Sequence, residues 1–328
     1  MRHQQNIDLQ GTIIQEPLPD FVYRDIEQYL KKSNDYHSQP PELIEWLINK
    51  HGYTAEHYFL TAGEDEAILL LAQLYGKQTV VFTPTYSMYS CVTQFGGALG
   101  LEPSLEDGVF TIVPKPYPNA TLIFLSNPNN PVGSTSRESI IELIENNPQA
   151  MVVIDEAFGE FLGETVADLI KEYANLVVLH SFSKSYGMAG IRIGYAMAQP
   201  QIITCLSEKS QYANISYLSV GAAISALKHE QYFARIRGDI VKRQLEFASL
   251  LRRQGFTVIS SFMNTVLIKF DTIPEKERFT NFLLEHSIAI QKGEDGSLLG
   301  LDPLFVRISI GSKEQMENVE SIIPQFIL

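Results

Sequence analysis

Cysteine is nearly absent from this chain of 328 residues: Cys91 and Cys205 are the two, far apart and in no CxxC pairing. A disulfide framework therefore has no support, and a reducing cytosol is the simplest home. No apolar run approaches the ~20 residues of a membrane span. The opening MRHQQNIDLQ lacks the apolar stretch of a secretion signal. The seven histidines fall in no HxH or HExxH spacing, so no metal site is expected. Positive charge is short as well: 25 Lys and Arg stand against 38 Asp and Glu, a net of −13. Nucleic acids and anionic membranes demand clustered cations, so neither is expected as a partner. A small anionic ligand stays open, because a pocket can be basic on an acidic protein. No GxGxxG follows an early strand, which removes the nicotinamide fingerprint.

What is present is ordinary globular material, 45% hydrophobic and 19% charged. The length suits about two domains. Short Val-, Ile- and Leu-rich runs at 79–83, 121–126, 151–155, 176–181 and 193–198 show little alternation. Such runs read as strands buried on both faces. Helical patterns at 65–74, 88–95, 137–146 and 165–173 lie between them. The fold class expected is α/β: a large domain with a mostly parallel sheet wrapped by helices, plus a smaller α+β domain. The expected boundaries put residues 37–225 in the large domain. Residues 1–36, an arm with one helix, join 226–328 in the second. Helices at 231–254, 275–286 and 313–326 and strands at 257–260, 265–270 and 305–310 are expected there.

Ligands of open parallel sheets bind beyond the carboxyl ends of the strands, and three unusual segments sit there. Ser126-Asn127-Pro128-Asn129-Asn130-Pro131-Val132-Gly133 is a rigid turn, either a plain loop or a device that presents an amide to a cleft. Asp155 ends a very apolar strand, where a carboxylate needs a partner. That partner could be a helix end, an arginine or a cationic ligand nitrogen. Ser181-Phe182-Ser183-Lys184 follows another apolar strand, with Arg192 eight residues on. A semi-buried lysine loses its proton more readily and becomes a nucleophilic amine. Gly63-Glu64-Asp65 opens a helix, as simple capping or as a phosphate seat on backbone N–H groups. Arg307 lies inside an apolar strand, and arginine is seldom buried without an anion.

In order and spacing these segments resemble the fold-type I aminotransferases that use pyridoxal 5′-phosphate, most closely the histidinol-phosphate aminotransferase family. The resemblance runs from about Tyr36 to Gly311. It implies amino-group transfer between an L-amino acid, histidinol-phosphate-like or aromatic, and a 2-oxo acid such as 2-oxoglutarate, in a homodimer. It implies that Lys184 carries the cofactor as a Schiff base and later shuttles a proton. Asp155 would pair with the ring nitrogen and Asn130 with the phenolic oxygen. Ala157 and Tyr86 would flank the ring. Ser181, Ser183, Arg192 and the backbone of Gly63, Glu64 and Asp65 would hold the phosphate. Arg307 would take the substrate carboxylate, with Asn130 beside it. Tyr36 would cross to the partner's site, although His37 stands where that motif has proline.

Two further departures bear on chemistry. Phe158 stands where the family has a tyrosine that donates to the phenolic oxygen. Gln291 stands where it has an arginine that binds the substrate phosphate, with Lys292 adjacent but on the opposite side of a strand. The same cofactor set also serves decarboxylases of threonine-phosphate type and β-lyases, which break a different Cα bond. A regulator built on this fold would add a DNA-binding domain, and none is expected, because the motifs start by about residue 36 and the sequence ends soon after Arg307.

Overall fold

Apolar side chains on both faces make the motif-bearing runs into strands that are buried along nearly their whole length. A computed structural model describes residues 6–106 and 108–327. The first half contains β1 (Ile7–Leu9), α1 (Asp20–Leu30), α2 (Pro41–His51), β2 (Tyr58–Thr61), α3 (Glu64–Tyr75), β3 (Gln78–Thr83), β4 (Ala98–Pro103), β5 (Leu122–Ser126), α4 (Arg137–Glu145) and β6 (Met151–Asp155). There follow β7 (Leu176–Ser181), β8 (Gly194–Ala198), α5 (Pro200–Lys209), α6 (Tyr217–Lys228) and α7 (Glu230–Arg253). The chain finishes with β9 (Thr257–Phe262), β10 (Thr265–Lys269), α8 (Ile273–Glu285), β11 (Ile288–Lys292), β12 (Phe305–Ser309) and α9 (Lys313–Ile322).

The large sheet has the order β2-β8-β7-β6-β5-β3-β4. From β4 to β7 every neighbour is parallel, while β8 runs antiparallel to both β7 and β2. Register aligns the carboxyl ends of the central strands: Ser126 stands opposite Asp155, and Asp155 opposite Leu179. The loops after β5, β6 and β7 therefore open along one edge.

The smaller sheet is β1-β11-β12-β10-β9. The strand β1 joins β11 in parallel, and the remaining pairs are antiparallel. On β12, Arg307 is opposite Gln291 of β11 and Leu267 of β10. The long helix α7, about 36 Å by its residue count, serves both cores. Phe233 packs into that of the large sheet, and Ile240, Phe247 and Leu251 into that of the small one.

Two expected helices tighten. Residues 88–95 form part of a 3-10 run, Ser87–Phe95, and 165–173 yield only a short one, Ala167–Lys171. In the second case the Thr165 hydroxyl and the Val166 N–H both donate to the buried Glu156 carboxylate. That competition pins the segment to the end of β6 before a helix can wind. Pro41 begins α2, a position where its fixed φ suits the first turn.

Candidate active site

The carboxyl ends of β3, β5, β6 and β7, together with one face of the small sheet, enclose a cavity of about 430 Å³. This is the size range of small-ligand sites. Its wall includes Lys184, Asp155, Asn130, Tyr86, Ala157, Ser181, Ser183, Arg192, Glu64, Asp65 and Arg307. Residues separated by up to 243 positions in the sequence thus meet in one place. Gly63 is not in the wall but shapes it from behind. Its φ is +76°, and a Cβ there would sit 2.3 Å from the Arg192 guanidinium. Only glycine lets that guanidinium lie across the start of α3. Tyr36 is not brought to the cavity of its own chain; it is 79% exposed.

Asp155 is 3% exposed at the tip of β6. Its Oδ1 accepts from the Ala157 N–H at 3.0 Å, and its Oδ2 accepts a short bond from the Tyr89 hydroxyl. Tyr89 is fixed by stacking on Phe124, with ring centres 4.7 Å apart. Two donors hold the Asp155 carboxylate in one orientation toward the cavity. The sequence reading missed Tyr89, although it stands three residues after Tyr86 in the same motif.

Lys184 lies in the loop three residues after β7. Its Nζ donates to Thr12 Oγ1 at 3.0 Å and sits 5.8 Å from the centre of the Phe158 ring. Burial first, and then the Arg307 charge, holds the Lys184 ammonium below the usual lysine range. A lysine so placed can lose its proton and act as a nucleophile or base.

Asp65 collects two partners across the first turn of α3: the Tyr86 hydroxyl at 2.9 Å and Arg192 Nη2 at 3.0 Å. Arg192 itself has φ +55°, a strained conformation for a non-glycine residue. A second guanidinium bond, to the Ala189 carbonyl at 3.1 Å, helps to hold it there. Ser181 and Ser183 are buried beside them, and the Ser183 N–H donates to Ser181 Oγ. A helix start, a guanidinium and two hydroxyls together make a donor set of the kind a phosphate takes.

Arg307 closes the opposite wall. It is 4% exposed, with Nη1 on Asn130 Oδ1 at 3.3 Å, Nη2 on the Gln10 carbonyl, and Nε without a partner among the described residues. Burial pulls it down to about 10, which still leaves it a cation at neutral pH. Gln291 faces the same cavity, its amide bonded to the Lys292 carbonyl and Asp295. Lys292 is engaged with Glu277 at 3.2 Å.

The residues present fit a planar phosphorylated cofactor. They offer a phosphate seat, an oriented carboxylate, a semi-buried amine and an unsatisfied guanidinium in one cavity.

The family model "Aminotransferase class I and II" matches residues 25–323. A histidinol-phosphate aminotransferase of Thermoanaerobacter pseudethanolicus is 31% identical over 95% of this chain and 90% of its own length. Two solved structures share the fold. The histidinol-phosphate aminotransferase of Sinorhizobium meliloti in complex with pyridoxal-5′-phosphate has a TM-score of 0.87 at 22% identity, covering 98% of this chain and 90% of that one. The L-threonine-O-3-phosphate decarboxylase of Porphyromonas gingivalis has a TM-score of 0.85 at 24% identity, over 98% of this chain and the whole of its partner to within a percent. With the family model running through both sheets and the cavity between them, this chain belongs to the aminotransferases of class I and II.

Proposed function

We propose that Lys184, Asp155 and Arg307 share the work of moving an amino group between an L-amino acid and a 2-oxo acid. The cofactor is pyridoxal 5′-phosphate, which when bound supplies an electron sink for the charge left on Cα. Asp155, fixed by Tyr89 and the Ala157 N–H, pairs with the ring nitrogen and keeps it protonated. Arg192, Ser181, Ser183 and the backbone of Gly63, Glu64 and Asp65 hold the phosphate. Ala157 and Tyr86 flank the ring, and Asn130 donates to its phenolic oxygen. Lys184 anchors the cofactor and then moves a proton to and from Cα. Arg307 grips the substrate carboxylate in a two-pronged bond. A homodimer is part of this reading: the exposed Tyr36 is free to reach a partner's cavity. The two unpaired cysteines suit a cytosolic enzyme.

The observation that carries the proposal is the meeting of Lys184, Asp155, Arg192 and Arg307 around one cavity. A half-reaction screen tests it. The cofactor-loaded enzyme is mixed with a panel of amino donors, including histidinol phosphate and aromatic amino acids, and conversion to the amine form of the cofactor is followed by absorbance. Conversion by at least one donor, reversed by a 2-oxo acid, is expected. Release of CO2 without conversion would favour the decarboxylase chemistry instead.

Phe158 makes a separate expectation. It is buried, and its ring faces Lys184 where a phenol could have donated to the phenolic oxygen of the cofactor. A donor there spreads the oxygen's negative charge and weakens its hold on the proton of the linked Lys184 nitrogen. Phe158→Tyr is therefore expected to lower the pKa of that nitrogen by about one pH unit, the worth of a charge-assisted hydrogen bond. A spectral pH titration of both proteins checks this, and an unchanged or higher value in the variant would refute it.

A further inference from the structure

The cavity holds one ionisable side chain that the transfer chemistry leaves unused. Glu64 is the first residue of α3, where an acid ordinarily faces water and complements the helix dipole. Here it turns inward. It is 9% exposed and lines the cavity, and its Oε1 has no hydrogen-bond partner among the described residues. Charged and titratable groups face it from every side. They are Asp155 at the end of β6, Lys184 beyond β7, Tyr89 and Tyr86 from the segment after β3, and Asp65 next to it with Arg192 across.

A charge on Glu64 is costly in so small a volume, because Asp155 lines the same cavity. The protein's donors are aimed at Asp155, which receives both the Tyr89 hydroxyl and the Ala157 N–H. Those donors are spent on Asp155, and none of them reaches Glu64 Oε1. Burial first, and then Asp155, pushes the Glu64 carboxyl well above the usual carboxylate range.

We propose that Glu64 is a positioning residue, a protonated carboxyl that donates to Asp155 and keeps the acid pair at a single negative charge under the cofactor. The inference rests on the reading that this cavity seats pyridoxal phosphate. The cofactor is an anion because of its phosphate, and that phosphate is to sit on the helix end that Glu64 begins. While Glu64 keeps its proton, the ring nitrogen meets one carboxylate and the phosphate meets no added charge. When Glu64 ionises, a second negative charge enters the cavity and repels the anion. Affinity therefore falls as pH rises through the Glu64 ionisation. A glutamine at this position is neutral at every pH and can still donate, so its affinity does not follow that fall.

The test uses pyridoxamine 5′-phosphate, whose amine does not condense with Lys184, so that no covalent bond to that lysine enters the measurement. Its dissociation constant is measured by isothermal titration from neutral to strongly alkaline pH for the wild type, Glu64→Gln and Glu64→Ala. The ligand's own ionisations are common to all three proteins and cancel. The wild type is expected to weaken by about tenfold more than Glu64→Gln over this range, the size of one added charge at short distance. Glu64→Gln is also expected to bind about tenfold tighter than Glu64→Ala at neutral pH, because a bond to a charged acceptor survives. Parallel pH profiles for wild type and Glu64→Gln, or equal affinities for the two variants, would overturn the assignment. No binding by the wild type at any pH would overturn the reading of the cavity itself.

Discussion

Lys184→Ala should lose turnover by about ten-thousandfold or more. One side chain is asked both to anchor the cofactor and to carry the proton at Cα, and general acid–base transfer alone is worth up to about that factor. The geometry explains why no neighbour can stand in. Thr12 is the hydrogen-bond partner of Lys184 Nζ and carries no basic nitrogen, while Arg307 is tied to Asn130 and Gln10. Lys184→Arg keeps a cation but not a deprotonatable amine, and it should be as inactive as the alanine variant. The two roles separate by measurement. Absorbance reports whether the variant still takes up cofactor through the Arg192 and Asp155 walls. Single-turnover rates with and without an added small primary amine report the missing proton transfer. A variant with undiminished turnover would remove Lys184 from the reaction.

The sequence announces this lysine because a polar run follows a strand too apolar to lie at a surface. The same logic reaches Asp155 and Arg307, each an ion in an apolar strand, and runs buried on both faces mark the parallel core strands. Other parts leave no local trace. Thr12 reaches Lys184 across 172 positions, and Gln10 reaches Arg307 across 297. Pairing of that kind depends on β1 docking beside β11, which a three-residue strand does not advertise. The inward turn of Glu64 is equally silent, since an acid after Gly63 reads as ordinary capping. Helix α6 escapes notice for a different reason. Ser219 to Ala226 are buried all round, so no amphipathic stripe marks the segment. Tyr89 alone was within reach, as the second aromatic of the motif that begins at Tyr86.

Arg307→Met should cost about 10²- to 10³-fold in kcat/KM for amino donors that bear an α-carboxylate. Truncating one partner of a buried charge pair costs roughly 2–5 kcal/mol, and each 1.4 kcal/mol is tenfold. Arg307 is set for this pairing by its surroundings. It is buried in the small sheet, with Nε still unbonded and Asn130 beside it on the large-sheet side. Arg307→Lys restores charge without the planar fork and should recover only part of the loss. A second consequence follows from the position of the guanidinium. Its charge is one of the two causes that hold Lys184 below the usual range. Removing it should raise the Lys184 pKa, so that the acidic limb of the pH–rate profile moves toward higher pH. Amine donors that bear no anionic group on Cα should suffer that shift but not the full loss in kcat/KM. Stopped-flow half-reactions with paired donors, with and without the carboxylate, separate the two effects. Equal losses for both kinds of donor would show that Arg307 supports the fold of the cavity rather than gripping the substrate.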